Sequence, residues 1–433
     1  MSSISTDLLA HVFARLREVQ RTLGIEPVAT DDPNLLLTNL LDSMGLVELV
    51  AVLAGDRGVT AEAIEKAAGH RFESVASLAA AVDGASRNEP RASARGAAQH
   101  PSLTLGARSE QPQATCRLTA PCVHLPARIE EADELDVRLG RPPGWLEAHS
   151  GIRRRYVWEN EDAVEAAAGV GRTSLEAAGL LVEEVGGLLV TSQAPPLLAG
   201  LAAAIHQRLD LPPRTVALEV GGACTGFLQA LWLARSLIER LENILIIAVE
   251  APSRHLHTEP GEAGEAAALF GDGTAACLAT SSPEGPGALP VVDVDLSVSE
   301  GRDLLGVAGD GRDSVHVRMD GPRLASRAVE ALTELVRETA QRHKLSVEEL
   351  SAVIVHGGNG RMPGLVARRL GLPAERVWSQ TGETGNLGSA SLPLAWARGA
   401  AINGPVAWAA VGAGLTLASA LTLAPVTSAT RVP

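Results

Sequence analysis

Aromatic residues, cysteines and positive charges are scarce in this sequence. One Tyr, four Phe and six Trp make up 3% of the 433 residues, so the core must consist mainly of Ala, Leu and Val. Lys and Arg number 37 against 51 Asp and Glu, which gives a formal net charge of −14 at pH 7. The sequence has no basic stripe with interleaved aromatic residues. We therefore expect no nucleic-acid partner.

The four cysteines are too few for a disulfide scaffold in a chain of this length. The first residues show no basic segment followed by an apolar core, so we expect no signal peptide and a cytoplasmic location. One uncharged segment, 404–425, is nearly long enough to span a bilayer. Its glycines and its evenly spaced Thr and Ser favour two buried strands around a turn, and we expect no membrane segment.

Residues 86–115 differ in composition from the rest of the chain. Arg, Ser, Pro, Gly and Gln dominate there, and Leu103 and Leu105 are its only large apolar residues. Such a segment cannot bury enough apolar surface to order itself, which predicts a flexible linker. The linker separates a small domain, 1–85, from a large one that begins at residue 116.

The small domain shows helical patterns throughout. Apolar residues recur at helical spacing in segments 7–25 and 43–55, which we expect to end at Gly24 and Gly55. Two shorter helices are predicted after Thr60 and Ser74, whose side chains can cap them. Residues 1–84 contain 12 acidic and 6 basic residues, a net charge of −6. These features predict an acidic, all-α bundle of four helices.

The large domain alternates between two kinds of segment. Apolar runs at 186–192, 215–220, 243–250 and 350–358 predict buried strands. Helical patterns separate them at 198–210, 224–241, 326–343 and 388–402. Such alternation over some 310 residues is typical of an α/β architecture with buried sheets.

Cys224 lies in a distinctive local sequence. Gly221, Gly222 and Ala223 precede it, and an apolar helical run follows. Unpaired N–H groups at a helix start lower the pKa of a thiol and favour the thiolate. The small residues leave room for a substrate to approach. The pattern favours a nucleophile, and the alternative is a buried structural cysteine.

His356 and Asn386 are the other candidate catalytic residues. His356 ends an apolar run and precedes two glycines, a position at a strand end where α/β active sites collect. Asn386 lies among glycines just before a helical pattern. Alone, His356 could be a core or surface group and Asn386 a turn residue. A Cys, a His and an Asn at such positions together suit acyl transfer.

Residues 116–433 resemble β-ketoacyl-acyl-carrier-protein synthase III, a family of the thiolase superfamily. The matching segments occur in family order and are SGIRRRYV (150–157), GGACTGFLQAL (221–231), ALFGDGTAACLA (268–279), MDGPRLASRAVEAL (319–332), VIVHGGNGRM (353–362), TGNLGSASLPLA (384–395) and VGAGLTLASAL (411–421). The resemblance implies a five-layer αβαβα domain in two halves, 116–283 with the nucleophile and 284–433 with the His and Asn, and a homodimer.

The resemblance also implies a role for each catalytic residue. Cys224 would hold an acyl group, taken from a thioester of coenzyme A or of a carrier protein. His356 and Asn386 would donate hydrogen bonds to the thioester oxygen of a malonyl-type substrate as carbon dioxide leaves. The backbone N–H of Cys224 and the loop around Ala413 would form the oxyanion hole. No metal is implied.

Further positions carry over to the substrate-binding region. Trp145 matches a residue near the adenine of coenzyme A, and Leu197 aligns where the family commonly has an aromatic residue that closes the acyl pocket. Asn359 is retained in HGGN, where the family usually has H-Q-A-N. His149 stands where an arginine often contacts coenzyme A, which favours a carrier-bound donor. FGDG (270–273) is expected to pack near the pocket.

The small domain resembles an acyl carrier protein. LLDSMGLVEL (40–49) matches the carrier motif, which implies that a phosphopantetheinyl transferase attaches 4′-phosphopantetheine to Ser43. Alternatively, Asp42 and Ser43 only cap the helix. A flexible linker of this length spans about 30 Å and gives an effective concentration of about 1 mM. We therefore expect Ser43 to bring its thioester to Cys224, in cis or across a dimer.

Three functions remain open at the level of sequence. The first is decarboxylative condensation in polyketide or specialised fatty-acid biosynthesis, which Asn386 beside His356 favours. The second is a non-decarboxylating acyltransferase that passes the acyl group of Cys224 to an alcohol, an amine or a carrier. The third, a non-catalytic scaffold, predicts loss of the nucleophile, and Cys224 is present.

Overall fold

The computed structural model describes residues 4–22, 25–37, 40–41, 43–68, 72–88, 116–197, 200–282, 289–301, 304–309, 315–319, 321–400 and 403–424. The chain divides into two compact units. The first contains helices α1 (Thr6–Thr22), α2 (Ser43–Arg57), α3 (Ala61–Ala67) and α4 (Val75–Asn88). Most of the predicted linker, residues 89–115, lies outside the described residues, and so does Gly24.

The four helices of the first unit pack around one apolar cluster. Phe13 of α1, Leu53 of α2, Ile64 of α3 and Leu78 of α4 are fully buried in it. Thr60 caps α3 as predicted, because its Oγ1 accepts the N–H of Ala63 at 3.1 Å. The predicted end of α2 at Gly55 is wrong. The helix continues to Arg57, and the residue that follows, Gly58, has the positive φ of +63° that commonly terminates a helix.

The second unit contains all fifteen strands of the described residues. The helices are α5 (Ala132–Leu139), α6 (Trp145–Ser150), α7 (Ala163–Ala178), α8 (Leu201–Arg208), α9 (Gly226–Leu241), α10 (Glu262–Ala268), α11 (Gly321–Arg342, of which Gly321–Ser326 belong to the first unit), α12 (Met362–Leu370), α13 (Thr381–Thr384) and α14 (Ser391–Ala397). The strands are β1 (Arg117–Leu118), β2 (Cys122–His124), β3 (Arg128–Glu131), β4 (Arg154–Val157), β5 (Gly187–Thr191), β6 (Val216–Val220), β7 (Asn243–Glu250), β8 (Gly273–Thr280), β9 (Leu289–Val298), β10 (Leu305–Gly309), β11 (Val315–Met319), β12 (Ala352–Val355), β13 (Val377–Trp378), β14 (Gly404–Gly412) and β15 (Thr416–Ala424).

Eleven of these strands form one mixed sheet. Their order is β13-β12-β14-β15-β9-β1-β8-β7-β5-β6, and β2 also pairs with β8. Strands β6, β5 and β7 run parallel, as do β13, β12 and β14, whereas the other pairs are antiparallel. The short strand β1 joins the two parallel groups through β8 and β9. The predicted α/β class is confirmed.

Helices cover both faces of the sheet around β7. Ile246 belongs to a core cluster with Phe227 of α9, Leu392 of α14 and Trp408 of β14. Its neighbours in sequence, Leu245 and Ile247, face the opposite way and pack with residues of α7 and α8. This alternation explains why the segment is apolar at almost every position: a strand buried on both faces has no polar side.

The prediction that segment 215–220 is a buried strand is wrong. β6 forms the edge of the sheet in the described residues and pairs with β5 alone. Val216 and Leu218 are each 39% exposed. An apolar sequence indicates that a strand packs against other protein residues. It does not indicate whether those residues belong to the same chain.

The uncharged segment near the end of the sequence forms the two predicted strands. β14 and β15 pair antiparallel from Gly404 opposite Ala424 to Gly412 opposite Thr416. Trp408 is fully buried there, and its indole N–H donates to Thr422 Oγ1 at 3.0 Å. Within the described ranges, no helix combines the length and apolar character needed to cross a bilayer.

Candidate active site

The candidate residues collect where parallel strands end. Cys224 lies four residues after β6, and His356 directly follows β12. The carboxyl ends of parallel strands meet at one edge of a sheet, where ligands bind in open α/β folds. The strand order therefore brings the segments after β6, β5 and β7 together, and the segments after β12 and β14 likewise.

Cys224 occupies a tight turn just before α9. Residues Ala223–Thr225 form one 3₁₀ turn, and α9 begins at Gly226 rather than at the cysteine. Gly222 has a φ of +105°, and a Cβ added there would lie 2.2 Å from the side-chain nitrogen of Gln229. The Thr225 hydroxyl donates to the Gly222 carbonyl at 2.7 Å and closes the turn. Only glycine fits position 222 without strain.

The expected lowering of the Cys224 pKa is not found. Burial is the main cause that raises the pKa of the thiol to about 12, and the charge of Glu250 adds to the effect. The backbone N–H of Cys224 and hydrogen bonding to the Asn386 side chain oppose this increase without overcoming it. The side chain is 7% exposed, so loss of hydration outweighs the favourable turn. The sulfur is therefore a thiol at neutral pH and donates to Gln193 Oε1 at 3.2 Å.

Backbone pairing fixes Asn386 beside this thiol. Its N–H donates to the Leu269 carbonyl at 2.8 Å, and its own carbonyl accepts the Gly271 N–H at 3.1 Å. Its side-chain oxygen accepts the Gly388 N–H at 2.9 Å. The side-chain NH₂ group is therefore the part left for the sulfur. The FGDG segment thus packs at the site, as expected, and holds the asparagine in place.

His356 is buried and neutral. The backbone N–H of His356 donates to the Ala409 carbonyl of β14 at 2.9 Å. Burial lowers the pKa of the imidazole to about 4. Its Nδ1 atom has no hydrogen-bond partner in the described part of the chain. The Thr381 hydroxyl donates to the next carbonyl, that of Gly357, at 2.8 Å, which ties the histidine turn to α13, just before Asn386.

The turn that carries Ala413 lies against the turn that carries Cys224. A Cβ added at Gly412 would lie 3.1 Å from the Gly222 carbonyl oxygen. The Thr225 and Thr416 hydroxyls, one on each side, are 3.1 Å apart and hydrogen-bonded. This geometry suits the expected oxyanion hole between the backbone at Cys224 and the 412–414 turn.

Trp145 begins α6 and has two polar partners against its ring. The His149 imidazole stacks on it with ring centroids 4.5 Å apart, and the Arg141 guanidinium lies 4.8 Å from the ring centroid. The buried Asp136 carboxylate accepts the N–H groups of Trp145 and Leu146, each at 2.9 Å. These contacts fix the indole in a polar setting.

The other two binding candidates have different surroundings. Leu197 is 39% exposed, and residues 198–199 beside it lie outside the described residues. Asn359 stabilises the turn that leads into α12, because its side-chain oxygen accepts the N–H groups of Arg361 and Met362 at 3.1 Å each. A role of Asn359 in binding stays a prediction.

Sequence reasoning missed two residues of this site. Gln193 follows β5 by two residues and accepts the Cys224 thiol. Glu250 is the last residue of β7 and is fully buried. Both could have been found by the signal that singled out His356, a polar residue at the end of an apolar strand.

Ser43 is the first residue of α2, in the first unit. Asp42 and the Ser43 side chain lie outside the described residues. Among the residues that the structure does describe, no three His, Cys, Asp or Glu side chains come together as metal ligands would.

Two family models match the second unit. Residues 218–297 match 3-oxoacyl-[acyl-carrier-protein (ACP)] synthase III, and residues 340–423 match the C-terminal region of the same synthase. The first match contains Cys224, and the second contains His356 and Asn386.

The chain is also similar to whole proteins of this kind. Beta-ketoacyl-[acyl-carrier-protein] synthase III of Clostridium perfringens strain SM101 is 32% identical over 285 residues, which cover 63% of this chain and 86% of the relative. The crystal structure of the synthase III of Pseudomonas aeruginosa PAO1 has a TM-score of 0.65 and 28% identity, over 72% of this chain and 98% of that chain.

A third similar protein carries a more specific description. The crystal structure of the priming beta-ketosynthase from the R1128 polyketide biosynthetic pathway has a TM-score of 0.65 and 26% identity, over 74% of this chain and 99% of that chain. Similarity at this level extends across nearly the full length of the known synthases, and we conclude that the chain belongs to the β-ketoacyl-acyl-carrier-protein synthase III family, with a thiolase-like α/β fold.

Proposed function

We propose that the protein catalyses decarboxylative condensation of an acyl thioester with a malonyl-type thioester. The observation that carries this proposal is the placement of the Asn386 amide against a buried Cys224 thiol. A neutral histidine, whose turn is hydrogen-bonded to α13 just before Asn386, adds a second donor of hydrogen bonds. Such donors stabilise the negative charge that develops on a thioester oxygen.

The first step loads the cysteine. Cys224 Sγ attacks the carbonyl carbon of the acyl donor and forms a new C–S bond. The C–S bond of the donor breaks, and the thiol proton leaves with the departing thiol. Because the resting sulfur is protonated, the nucleophile forms only when the thiol proton is transferred after the substrate has bound. The 412–414 turn and the Cys224 N–H stabilise the tetrahedral oxyanion.

The second step forms the carbon–carbon bond. Loss of carbon dioxide from the malonyl-type thioester leaves an electron pair on its methylene carbon as an enolate. This carbon attacks the acyl carbonyl, and the bond between that carbonyl and Cys224 Sγ breaks. The sulfur then takes up a proton from solvent. His356 and Asn386 donate to the enolate oxygen, which requires an imidazole that is neutral and has one N–H directed at the substrate.

We place the reaction in polyketide or specialised fatty-acid biosynthesis. The similarity to a priming ketosynthase supports the first setting, and the similarity to synthase III of fatty-acid biosynthesis supports the second. His149 stands where an arginine often contacts coenzyme A in this family, and this favours a donor on a carrier protein. The His149 imidazole and the Arg141 guanidinium both lie against the Trp145 ring.

We further propose that the first unit is an acyl carrier domain. It has four helices, its own core and a net charge of −6 over residues 1–84. A hydroxyl-bearing residue, Ser43, stands at the start of α2, which fits the attachment of 4′-phosphopantetheine. That group would supply a thiol able to hold an acyl or malonyl group as a thioester.

The edge strand supports a homodimer. β6 leaves Val216 and Leu218 half-exposed, and Trp232 of α9 is 40% exposed. An apolar edge strand invites pairing with another strand, and large aromatic residues are enriched where proteins associate. A second copy of the chain that pairs along β6 would cover this surface.

The condensation is tested with purified protein, an acyl donor and malonyl thioester. The wild-type protein is expected to form acyl-Cys224 and then a β-ketoacyl product, detected by mass spectrometry. Cys224→Ser abolishes loading, whereas His356→Ala and Asn386→Ala still load but form product about 10²-fold to 10³-fold more slowly. Cys122→Ser serves as the control and retains activity. Acylated Cys224 with malonyl thioester left intact would favour the non-decarboxylating acyltransferase instead.

The buried neutral imidazole predicts a pH dependence of stability. The pKa of His356 falls from 6.5 to about 4 on folding, so the unfolded chain binds a proton in a range where the folded protein does not. The contribution of His356 to the free energy of unfolding is thus complete above pH 6.5 and is lost as the pH falls towards 4, by about 3 kcal/mol. The raised pKa of Glu250 acts in the opposite direction over the same range, so the His356 contribution is read as the difference between the wild type and a variant. Denaturant unfolding of His356→Asn between pH 7 and 4 should lack this decline. The exposed control His257→Asn should keep it, and an unchanged decline in His356→Asn would contradict the burial.

The carrier proposal predicts a single modification. After incubation with coenzyme A and a phosphopantetheinyl transferase, the wild-type protein should gain the mass of one phosphopantetheine. Ser43→Ala should gain none. The control Ser74→Ala alters another serine at a helix start in the same unit and should be modified normally. Modification of Ser43→Ala would refute the assignment.

The dimer proposal predicts that a charge on the edge strand separates the subunits. Leu218→Lys places an ammonium group where an apolar contact is expected and should convert the dimer to a monomer in light scattering. Leu181→Lys, at a position that is 67% exposed, is the matched control and should leave the mass unchanged. A wild-type protein that is already a monomer would overturn the proposal.

A further inference from the structure

Glu250 is a fully buried carboxylate with an unusual number of hydrogen-bond donors. Its two oxygens accept the Ser389 N–H at 2.8 Å, the Gln193 N–H at 2.9 Å and the Ala194 N–H at 3.2 Å. The hydroxyls of Ser389 and Ser192 donate to it as well. Within the described residues, the groups found to favour its charged form are hydrogen-bond donors of Ser389, Gln193 and Ala194. These hydrogen bonds stabilise its charge, and burial still raises its pKa to about 7.

These donors come from two separate segments of the active site. Residues 192–194 follow β5, and the Gln193 side chain accepts the Cys224 thiol. Ser389 belongs to the turn after Asn386, whose side-chain oxygen is held by the N–H of Gly388. A Cβ added at Gly388 would lie 2.6 Å from Glu250 Oε1. The carboxylate thus lies in close contact with the segment that carries the asparagine.

A buried carboxylate is costly. Moving a charge out of water into the interior is unfavourable unless hydrogen bonds compensate for the loss of hydration. An apolar residue at this position would leave the N–H groups of Gln193, Ala194 and Ser389 without this acceptor. Such a costly group is expected to have a function. The two segments that it joins, 192–194 and the turn of Asn386 and Ser389, both contact Cys224.

We propose that Glu250 is a positioning residue for condensation. Its carboxylate joins the 192–194 segment to the Ser389 turn and so sets the distance between the Cys224 sulfur, the Gln193 side chain and the Asn386 amide. It touches no substrate and acts through Gln193 and Asn386. This inference rests on the proposed function, because the geometry it maintains is the one that condensation requires.

Glu250→Gln is the most informative substitution because it keeps the shape and removes one acceptor. The new NH₂ group must face either the Ser389 N–H or the N–H groups of Gln193 and Ala194, and donor opposes donor in both cases. One segment is therefore released. A displacement of about 1 Å at reacting groups can cost about 10²-fold in rate. We expect kcat to fall about 10²-fold while KM changes less than about threefold, since binding contacts remain.

The thiol provides a second readout that does not depend on turnover. The charge of Glu250 raises the pKa of Cys224, so its removal should shift the pH profile of Cys224 alkylation by iodoacetamide to lower pH. The variant is expected to alkylate faster at neutral pH and yet to condense more slowly. A residue needed only for folding would not produce these opposite changes in a protein with unchanged circular dichroism.

A control variant and a second test variant support this experiment. Asp162→Asn alters another carboxylate that accepts two backbone N–H groups, at the start of α7, and should match the wild type in both assays. If Glu250→Gln does not fold, Ser389→Ala removes one donor and should lower kcat by about tenfold.

Wild-type kcat in these variants, or an alkylation profile in Glu250→Gln that matches the wild type, would overturn the inference. If the wild-type protein itself forms no condensation product, the proposed function fails. The alkylation profile still decides the role of Glu250 in that case.

Discussion

The burial of one sulfur atom is the constraint on which the site depends. Cys224 is shielded from water in a turn that only glycine at 222 permits. Desolvation raises the pKa of the thiol, and the nearby Glu250 carboxylate raises it further. The sequence around the thiol suggests the opposite, a ready thiolate. In the proposed mechanism the resting protein thus holds Cys224 as a hydrogen-bonded thiol, which limits reaction with adventitious electrophiles until a thioester binds and aligns with the proposed oxyanion donors.

The sheet supplies the rigidity that this arrangement needs. The segments after β5, β6 and β7 converge because those strands are parallel, and β12 and β14 bring His356 close to the 412–414 turn in the same way. Backbone hydrogen bonds then hold the segments that carry His356 and Asn386 in place. Asn386 is the clearest case, since its backbone N–H pairs with Leu269 and its backbone carbonyl with Gly271 of the FGDG segment. A catalytic group held in this way loses little entropy on reaching the transition state.

Some features of the protein could be predicted from its sequence, and physical reasons explain the others. The alternation of apolar and helical segments was sufficient for the α/β class, and the glycines of segment 404–425 were sufficient for a strand pair. The exposure of β6 could not be predicted, because composition does not identify the surface that covers a strand. The protonation state of Cys224 could not be predicted either. It depends on burial and on Glu250, which is 26 residues away in sequence and adjacent only in the folded sheet.

The pH dependence of Cys224 alkylation in the wild-type protein tests the central claim most directly. Mass spectrometry after timed exposure to iodoacetamide gives the rate at this one cysteine. The account predicts a rate that is low at neutral pH and still increases above pH 9, the ordinary range of a thiol pKa, because the folded protein raises that pKa to about 12. A rate that has already reached its plateau at neutral pH would show a resting thiolate and would contradict the account.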